Sequence, residues 1–312
     1  MTAANTSRRA TLLGVGSILF WCWSGACFAR GGRIFGPGVY LTLMTATGAA
    51  TDALLHVLRG RPLAALYRLP VRFIAAGAVG VAVYTVLLAL ALFAAAPADL
   101  GQVNLLNYLW PIWIVVFSNV LLPERGGRAA LFGALLGFAG VLAARGPEGL
   151  LRLPERWLPH LLALAAGALF ALYCVLIRRW RIPAEQEGTA LNFGLCAAMS
   201  AALAGWRGEW SAPIAFSPEG LFWVVFGGVG PVALGYHWWE AGMKLGNARL
   251  LGTLAYLIPV GSSVILGLLY REALGPGLFA GAALIALGAW AGNRTPIRAH
   301  VRIQRNRPGD MP

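Results

Sequence analysis

Shifted against itself by 148 residues, the chain repeats a pattern that apolar composition does not supply. Tyr108-Leu109-Trp110-Pro111 falls on Tyr256-Leu257-Ile258-Pro259. In the same gapless register Glu124 falls on Glu272, Gly127 on Gly275, Gly133 on Gly281 and Gly140 on Gly288. Leucine matches arise by chance in any apolar chain. A tyrosine, a proline, a glutamate and three glycines in common register do not, so the chain reads as a duplicated half, and its fold must hold two similar units in series.

With 58% hydrophobic and only 12% charged residues among 312, the chain is not a soluble globular protein, since soluble domains carry about 25% charged residues. Ten apolar runs follow one another, at about 10–29, 37–58, 73–96, 102–122, 127–145, 158–178, 188–206, 218–243, 249–270 and 275–293. Each is long enough to span a bilayer as a helix, and none alternates as a barrel strand does. The fold class expected is an all-α membrane protein of ten transmembrane helices. Ser7-Arg8-Arg9 and Ala26-Cys27 give the first run some likeness to a cleaved signal. Ser24, three residues before Cys27, is not the aliphatic residue that a lipoprotein site takes there, so this run is read as a retained span. The four cysteines, Cys22, Cys27, Cys174 and Cys196, lie in apolar runs without C-x-x-C spacing and read as structural thiols.

The net charge of +13 sits between the runs, where it reports topology rather than nucleic acid binding. With the N-terminus inside, eighteen of the 25 lysines and arginines fall on the inner side. The outer seven are Arg30, Arg33, Arg145, Arg152, Arg156, Arg207 and Arg271. Both termini are then cytoplasmic. Five spans per half is an odd number, so two similar halves in series cross the membrane in opposite senses. Inverted repeats of this kind are a mark of secondary transporters, with the substrate site near the midplane between the halves. The expected divisions are a tail at 1–9, a first five-helix repeat at 10–145, an outer connection at 146–157, a second repeat at 158–293 and a basic tail at 294–312.

Pro111 lies midway along the fourth run and has no N–H, so the Asn107 carbonyl four residues back loses its helical partner. In hydrocarbon such a group survives only where protein or a water-filled cavity covers it. Asn107, Tyr108 and Trp110 therefore cluster beside freed backbone, and Pro259 repeats the device beside Tyr256. Pro231 places a third near Tyr236 and Trp239, and the three prolines are the expected hinges. Trp21 shares a face of the first run with Ser17 and Ser24. His237, Glu240 and Lys244 share one stripe of the eighth run: Lys244 is expected to snorkel inward and steady Glu240, and His237 to be a polar group of the cavity. Asp52, His56 and Arg59 form a second stripe, read as an interfacial ion pair. No Arg or Lys lies near the middle of any run, which disfavours phosphorylated or polyanionic substrates and suits a neutral or zwitterionic solute with apolar parts. Gly133 with Gly137, Gly277 with Gly281, and Gly288 with Gly292 are small-x-x-x-small pairs that permit close helix contact.

Asn107-Tyr108-Leu109-Trp110-Pro111, followed by Gly235-Tyr236-x-x-Trp239-x-x-Gly242-x-x-x-Gly246-Asn247, resembles the EamA type of the drug/metabolite transporter superfamily, and within it the bacterial aromatic amino acid exporters. The resemblance runs along nearly the whole chain to about Asn293. It implies a carrier of the bacterial inner membrane that exports aromatic and some other amino acids by alternating access. It further implies that Tyr108 and Trp110 line a central cavity, joined by Trp21, Tyr84, Tyr173, Tyr236 and Trp239. His237 and Trp238 lie outside the shared motif. The partners expected are the amino acid and the lipid bilayer, with no nucleic acid, no metal and no cofactor, and the chain is expected to act as a monomer. The alternative is an exporter of other amphipathic metabolites or drugs on the same fold. A membrane enzyme would need converging acids, bases or metal ligands, and only His237 and Glu240 approach that.

Overall fold

A computed structural model describes residues 3–96, 99–123, 127–145, 154, 156–211, 214, 217–271 and 275–293. Glu124 and Glu272 of the repeat, most of the expected connection at 146–157, and the basic tail lie outside the described residues. Among the described residues the regular structure is entirely helical. The helices are α1 (Ala4–Phe35), α2 (Pro37–Leu58), α3 (Val71–Ala94), α4 (Leu100–Leu121), α5 (Arg128–Ala144), α6 (Trp157–Arg179), α7 (Thr189–Trp206), α8 (Pro218–Leu245), α9 (Ala248–Tyr270) and α10 (Pro276–Gly292). Eight are long and apolar enough to cross a membrane, and α5 and α10 are shorter apolar helices. The chain is a multi-pass, all-helical membrane protein.

The first boundary differs from expectation. Arg30 and Arg33 were placed in an outer loop, yet α1 continues to Phe35 and only Gly36 separates it from α2. Gly36 turns the chain at φ 83°, and Pro37 opens α2 with its fixed φ. The backbone N–H groups of Gly38 and Val39, left without helical partners at the helix start, then donate to the Glu209 carboxylate at 2.7 and 3.3 Å. A helix start capped by a carboxylate 170 residues away in sequence leaves no local signal.

Two bundles result. In one, α1 packs on α8 and α9, and α2 on α8; in the other, α6 packs on α3 and α4, and α7 on α3. The bundles meet through the pairs α2–α7, α4–α9, α6–α8 and α5–α10. At the last of these, a Cβ built on Gly133 would stand 2.5 Å from the Gly288 carbonyl oxygen, and one on Gly140 2.6 Å from that of Gly281. Residue numbers rise along α5 as they fall along α10, so these two helices run antiparallel. Only glycine lets the backbones approach this closely.

Helices α3, α4, α8 and α9 are interrupted near their middles, and α1 breaks at Trp23 between Cys22 and Ser24. The α4 segments end at Asn107 and resume at Trp110, and those of α9 end at Leu254 and resume at Leu257. Before each proline the hydrogen bonds tighten to the i−3 carbonyl, Leu109 to Leu106 and Ile258 to Ala255. In α3 and α8 a π-helical turn takes the same place, at Ala78–Val83 and Gly228–Leu234. The first of these contains no proline, and the sequence reading missed it. Gly80 there lies against Tyr173 and the Leu169 carbonyl of α6.

The Asn107 carbonyl freed by Pro111 is covered by α6: a Cβ on Gly167 would sit 2.9 Å from it. Gly167→Val should therefore push α4 and α6 apart. Overpacking of this kind costs about 1–3 kcal/mol, to be read as a lower unfolding temperature of the detergent-purified protein.

Candidate functional site: an aromatic cluster at the helix interruptions

The interruptions bring aromatic side chains of both bundles to one place. Trp21 of α1 meets Trp110 of α4 edge-on at 6.4 Å between ring centroids, Phe170 of α6 at 6.3 Å and Trp239 of α8 at 5.1 Å. Trp110 closes the ring through edge contacts with Phe170 at 5.2 Å and Trp239 at 5.5 Å. Tyr84 stacks on Phe170 at 5.0 Å. Tyr236 touches Trp21 at 5.0 Å and Phe193 at 4.6 Å. Edge-to-face pairs contribute about 0.5–1.5 kcal/mol each beyond burial. The rings fill the space between them in this conformation: Trp110 is 4% exposed and Trp239 1%.

Two indole donors at the centre are satisfied. Trp239 Nε1 donates to Cys174 Sγ at 3.3 Å, and Trp21 Nε1 to the Pro231 carbonyl at 2.9 Å. The carbonyl expected to be freed by Pro231 was the one four residues before it; the π-turn presents Pro231's own carbonyl to the indole instead. Trp21→Phe keeps a ring but orphans that buried acceptor. It should cost about 1–3 kcal/mol, measured as a drop in thermal stability that Trp21→Leu exceeds.

One charged group reaches the cluster. Tyr173 donates through its hydroxyl to Glu240 Oε2 at 3.1 Å, and Lys244 Nζ pairs with Glu240 Oε1 at 2.6 Å. The pairing was foreseen; the snorkelling was not found. The Lys244 side chain is only 2% exposed, because it also donates to the Gln186 and Pro183 carbonyls at 2.5 and 3.3 Å.

The structure thus brings together Trp21, Tyr84, Trp110, Tyr173, Tyr236 and Trp239. Asn107 is buried one turn before Trp110, and Tyr108 packs on the same core from a half-buried position. Tyr256 stands apart. It is fully buried against Phe138 and Gly137 of α5, so the repeated tyrosine supports the α5 side of the fold. His237 also lies outside the ring cluster, with its Nδ1 3.1 Å from Asp52 and its Nε2 3.1 Å from Arg59. Phe170, which meets Trp21, Trp110, Tyr84 and Tyr236, is a member of the cluster that the sequence reading does not single out. Gly167-x-x-Phe170-x-x-Tyr173, three residues apart on one face of α6, was the available signal.

Comparison with known proteins places the chain in a family. Residues 157–292 match the model of the EamA-like transporter family. An aromatic amino acid exporter YddG of Ancylobacter novellus is 35% identical over 290 residues, covering 90% of this chain and 95% of the relative. The YddG exporter of Salmonella typhimurium is 25% identical over 298 residues, 91% of this chain and 96% of its own. A solved crystal structure 32% identical superposes with a TM-score of 0.77, covering 91% of this chain and 97% of that one. The chain belongs to the EamA-like transporters of the drug/metabolite transporter superfamily, alongside the YddG exporters.

Proposed function

We propose that this chain is a ten-span secondary transporter of the bacterial inner membrane, which exports aromatic and other amino acids by alternating access. Both termini lie in the cytoplasm, with five-helix repeats at 10–145 and 158–293. The observation that carries the reading is the cluster itself. Trp21 and Trp239 come from one bundle, and Trp110 and Phe170 from the other, where α3, α4, α8 and α9 are interrupted. Parting the bundles separates these rings and opens a space walled by aromatic faces, into which a planar side chain fits without charged partners. Pro111, Pro231 and Pro259 mark where the helices bend.

Three features support inverted repeats. The α5–α10 contact is antiparallel, and its Gly133–Gly288 approach maps onto Gly281–Gly140 under the 148-residue shift. The packing of α1 on α8 and α9 corresponds to that of α6 on α3 and α4. The relatives named as aromatic amino acid exporters cover nearly the full chain.

The test is counterflow of labelled phenylalanine in proteoliposomes holding the purified protein, against unlabelled solutes. Phenylalanine, tyrosine and tryptophan should drive uptake of label, while sugar phosphates and nucleotides should not. Label driven only by non-amino-acid amphiphiles would favour the wider exporter reading. No counterflow with any amino acid contradicts the proposal.

A further inference from the structure

One end of the interface between the bundles is closed by a polar seam. Glu187, in the connection between α6 and α7, is 8% exposed and meets cations of the other bundle. Its Oε1 accepts from Arg59 and Arg61, each at 3.1 Å, and its Oε2 lies 3.8 Å from His56 Nδ1. His237 Nε2 stands 3.8 Å from the same carboxylate, and its ring is held by Asp52 on Nδ1. Asp52 itself crosses the interface to accept from the Ala190 N–H at 3.0 Å. The seam continues through Lys244 to the Gln186 and Pro183 carbonyls, and Glu240 to Tyr173. It ends with Arg178, which donates to the Met243 and Gly246 carbonyls at 3.3 and 2.8 Å.

Beneath this seam α6 packs along α8. The repeat relates that pair to α1 and α3, which make no comparable contact among the described residues. One end of the interface is thus drawn together more tightly than its counterpart. The seam also sits one residue from the cluster, since Tyr236 lies among the rings and His237 in the ion network.

We infer that Glu187, with its partners Arg59, Arg61 and His237, is the closing element of the transport path at the arginine-rich end of the molecule, and that the seam must part in each cycle. This rests on the alternating-access reading above. The chemistry suits reversible closure. A buried ion pair repays little more than the desolvation of its members, so separating them into water costs less than separating an apolar surface of the same size. The network is also not saturated. His56 is 3% exposed, and neither ring nitrogen has a hydrogen-bond partner. A cavity of about 300 Å³, lined by His56, Arg61, Arg68, Glu185 and Glu187, borders the seam and gives water a place to enter.

The test uses Cys174 as a reporter. It is fully buried beside Trp239 and one helical turn above Arg178. In full-length protein carrying Cys22→Ala, Cys27→Ala and Cys196→Ala, the labelling rate of Cys174 by a small maleimide is measured in detergent. Glu187→Gln should raise that rate about tenfold by shifting the population toward the parted state. Arg59→Gln, at a side chain 41% exposed, should raise it by less. Glu187→Asp, which keeps the charge that Arg59, Arg61 and His237 face, should label more slowly than Glu187→Gln. Equal rates in all four proteins, or Glu187→Asp labelling as fast as Glu187→Gln, would overturn the inference. Labelling requires no substrate. Counterflow of labelled phenylalanine in the starting protein therefore separates the two readings: absent flux with charge-sensitive labelling removes the amino acid assignment alone, and normal flux with charge-insensitive labelling removes the seam.

Discussion

Trp110→Ala should lower phenylalanine counterflow by about 100-fold while the protein still inserts and purifies. Trp110 is the ring through which α4 touches Trp21 of α1, Phe170 of α6 and Trp239 of α8. Removing it takes away a wall shared by both bundles and leaves a void, and large-to-alanine changes at buried aromatics cost about 3–5 kcal/mol. A loss of about 2.8 kcal/mol in the binding of the solute alone accounts for the factor of 100. Trp110→Phe keeps an aromatic face and should lose roughly tenfold or less. Normal flux in Trp110→Ala would remove the cluster from the path. A fall in yield for Trp110→Ala with unchanged flux per molecule would leave Trp110 a packing residue.

Gly133→Leu and Gly281→Leu should each destabilise the protein severely and to a similar degree. The two positions are counterparts under the repeat, and each faces a carbonyl of the opposing helix. A Cβ at Gly133 would lie 2.5 Å from the Gly288 oxygen, and one at Gly281 2.4 Å from the Gly140 oxygen. Neither obstacle is a flexible side chain, so α5 and α10 must part. Small-to-large changes in tight contacts cost about 1–3 kcal/mol and more where backbone must move. Gly194→Ala is the control. Nothing lies within 4 Å of a Cβ there, and its thermal unfolding should match the unsubstituted protein. The comparison is read from unfolding temperatures and from the share of monodisperse protein in detergent. A large difference between the two leucine variants would count against a symmetric contact.

The helices were legible because bilayer-length apolar runs carry their own signal: eight runs coincide with helices long and apolar enough to cross a membrane, and those at 127–145 and 275–293 with shorter apolar helices. Their ends were less so. The start of α2 depends on Glu209, which local sequence does not show. Prolines announced the interruptions of α4, α8 and α9, whereas the π-turn of α3 arises where Gly80 meets α6 and has no marker of its own. Within the site, Trp21, Trp110, Tyr236 and Trp239 could be found because aromatic residues at mid-span are unusual anchors. Tyr256 shares the register of Tyr108 yet packs on Phe138 and Gly137 of α5, contacts that the repeat itself does not show. Glu187 was passed over because it lies between runs. Its neighbours Arg59, Arg61 and His237 come from elements far from it in sequence, and only the folded chain assembles them.

The central claim, two five-helix halves of opposite orientation, is tested most directly by sided accessibility. Protease-cleavable tags are placed at the N-terminus, the C-terminus and within 146–153, in right-side-out and inside-out vesicles. The account predicts both terminal tags on the cytoplasmic face and the middle tag on the outer face. A middle tag on the same side as either terminus would contradict it.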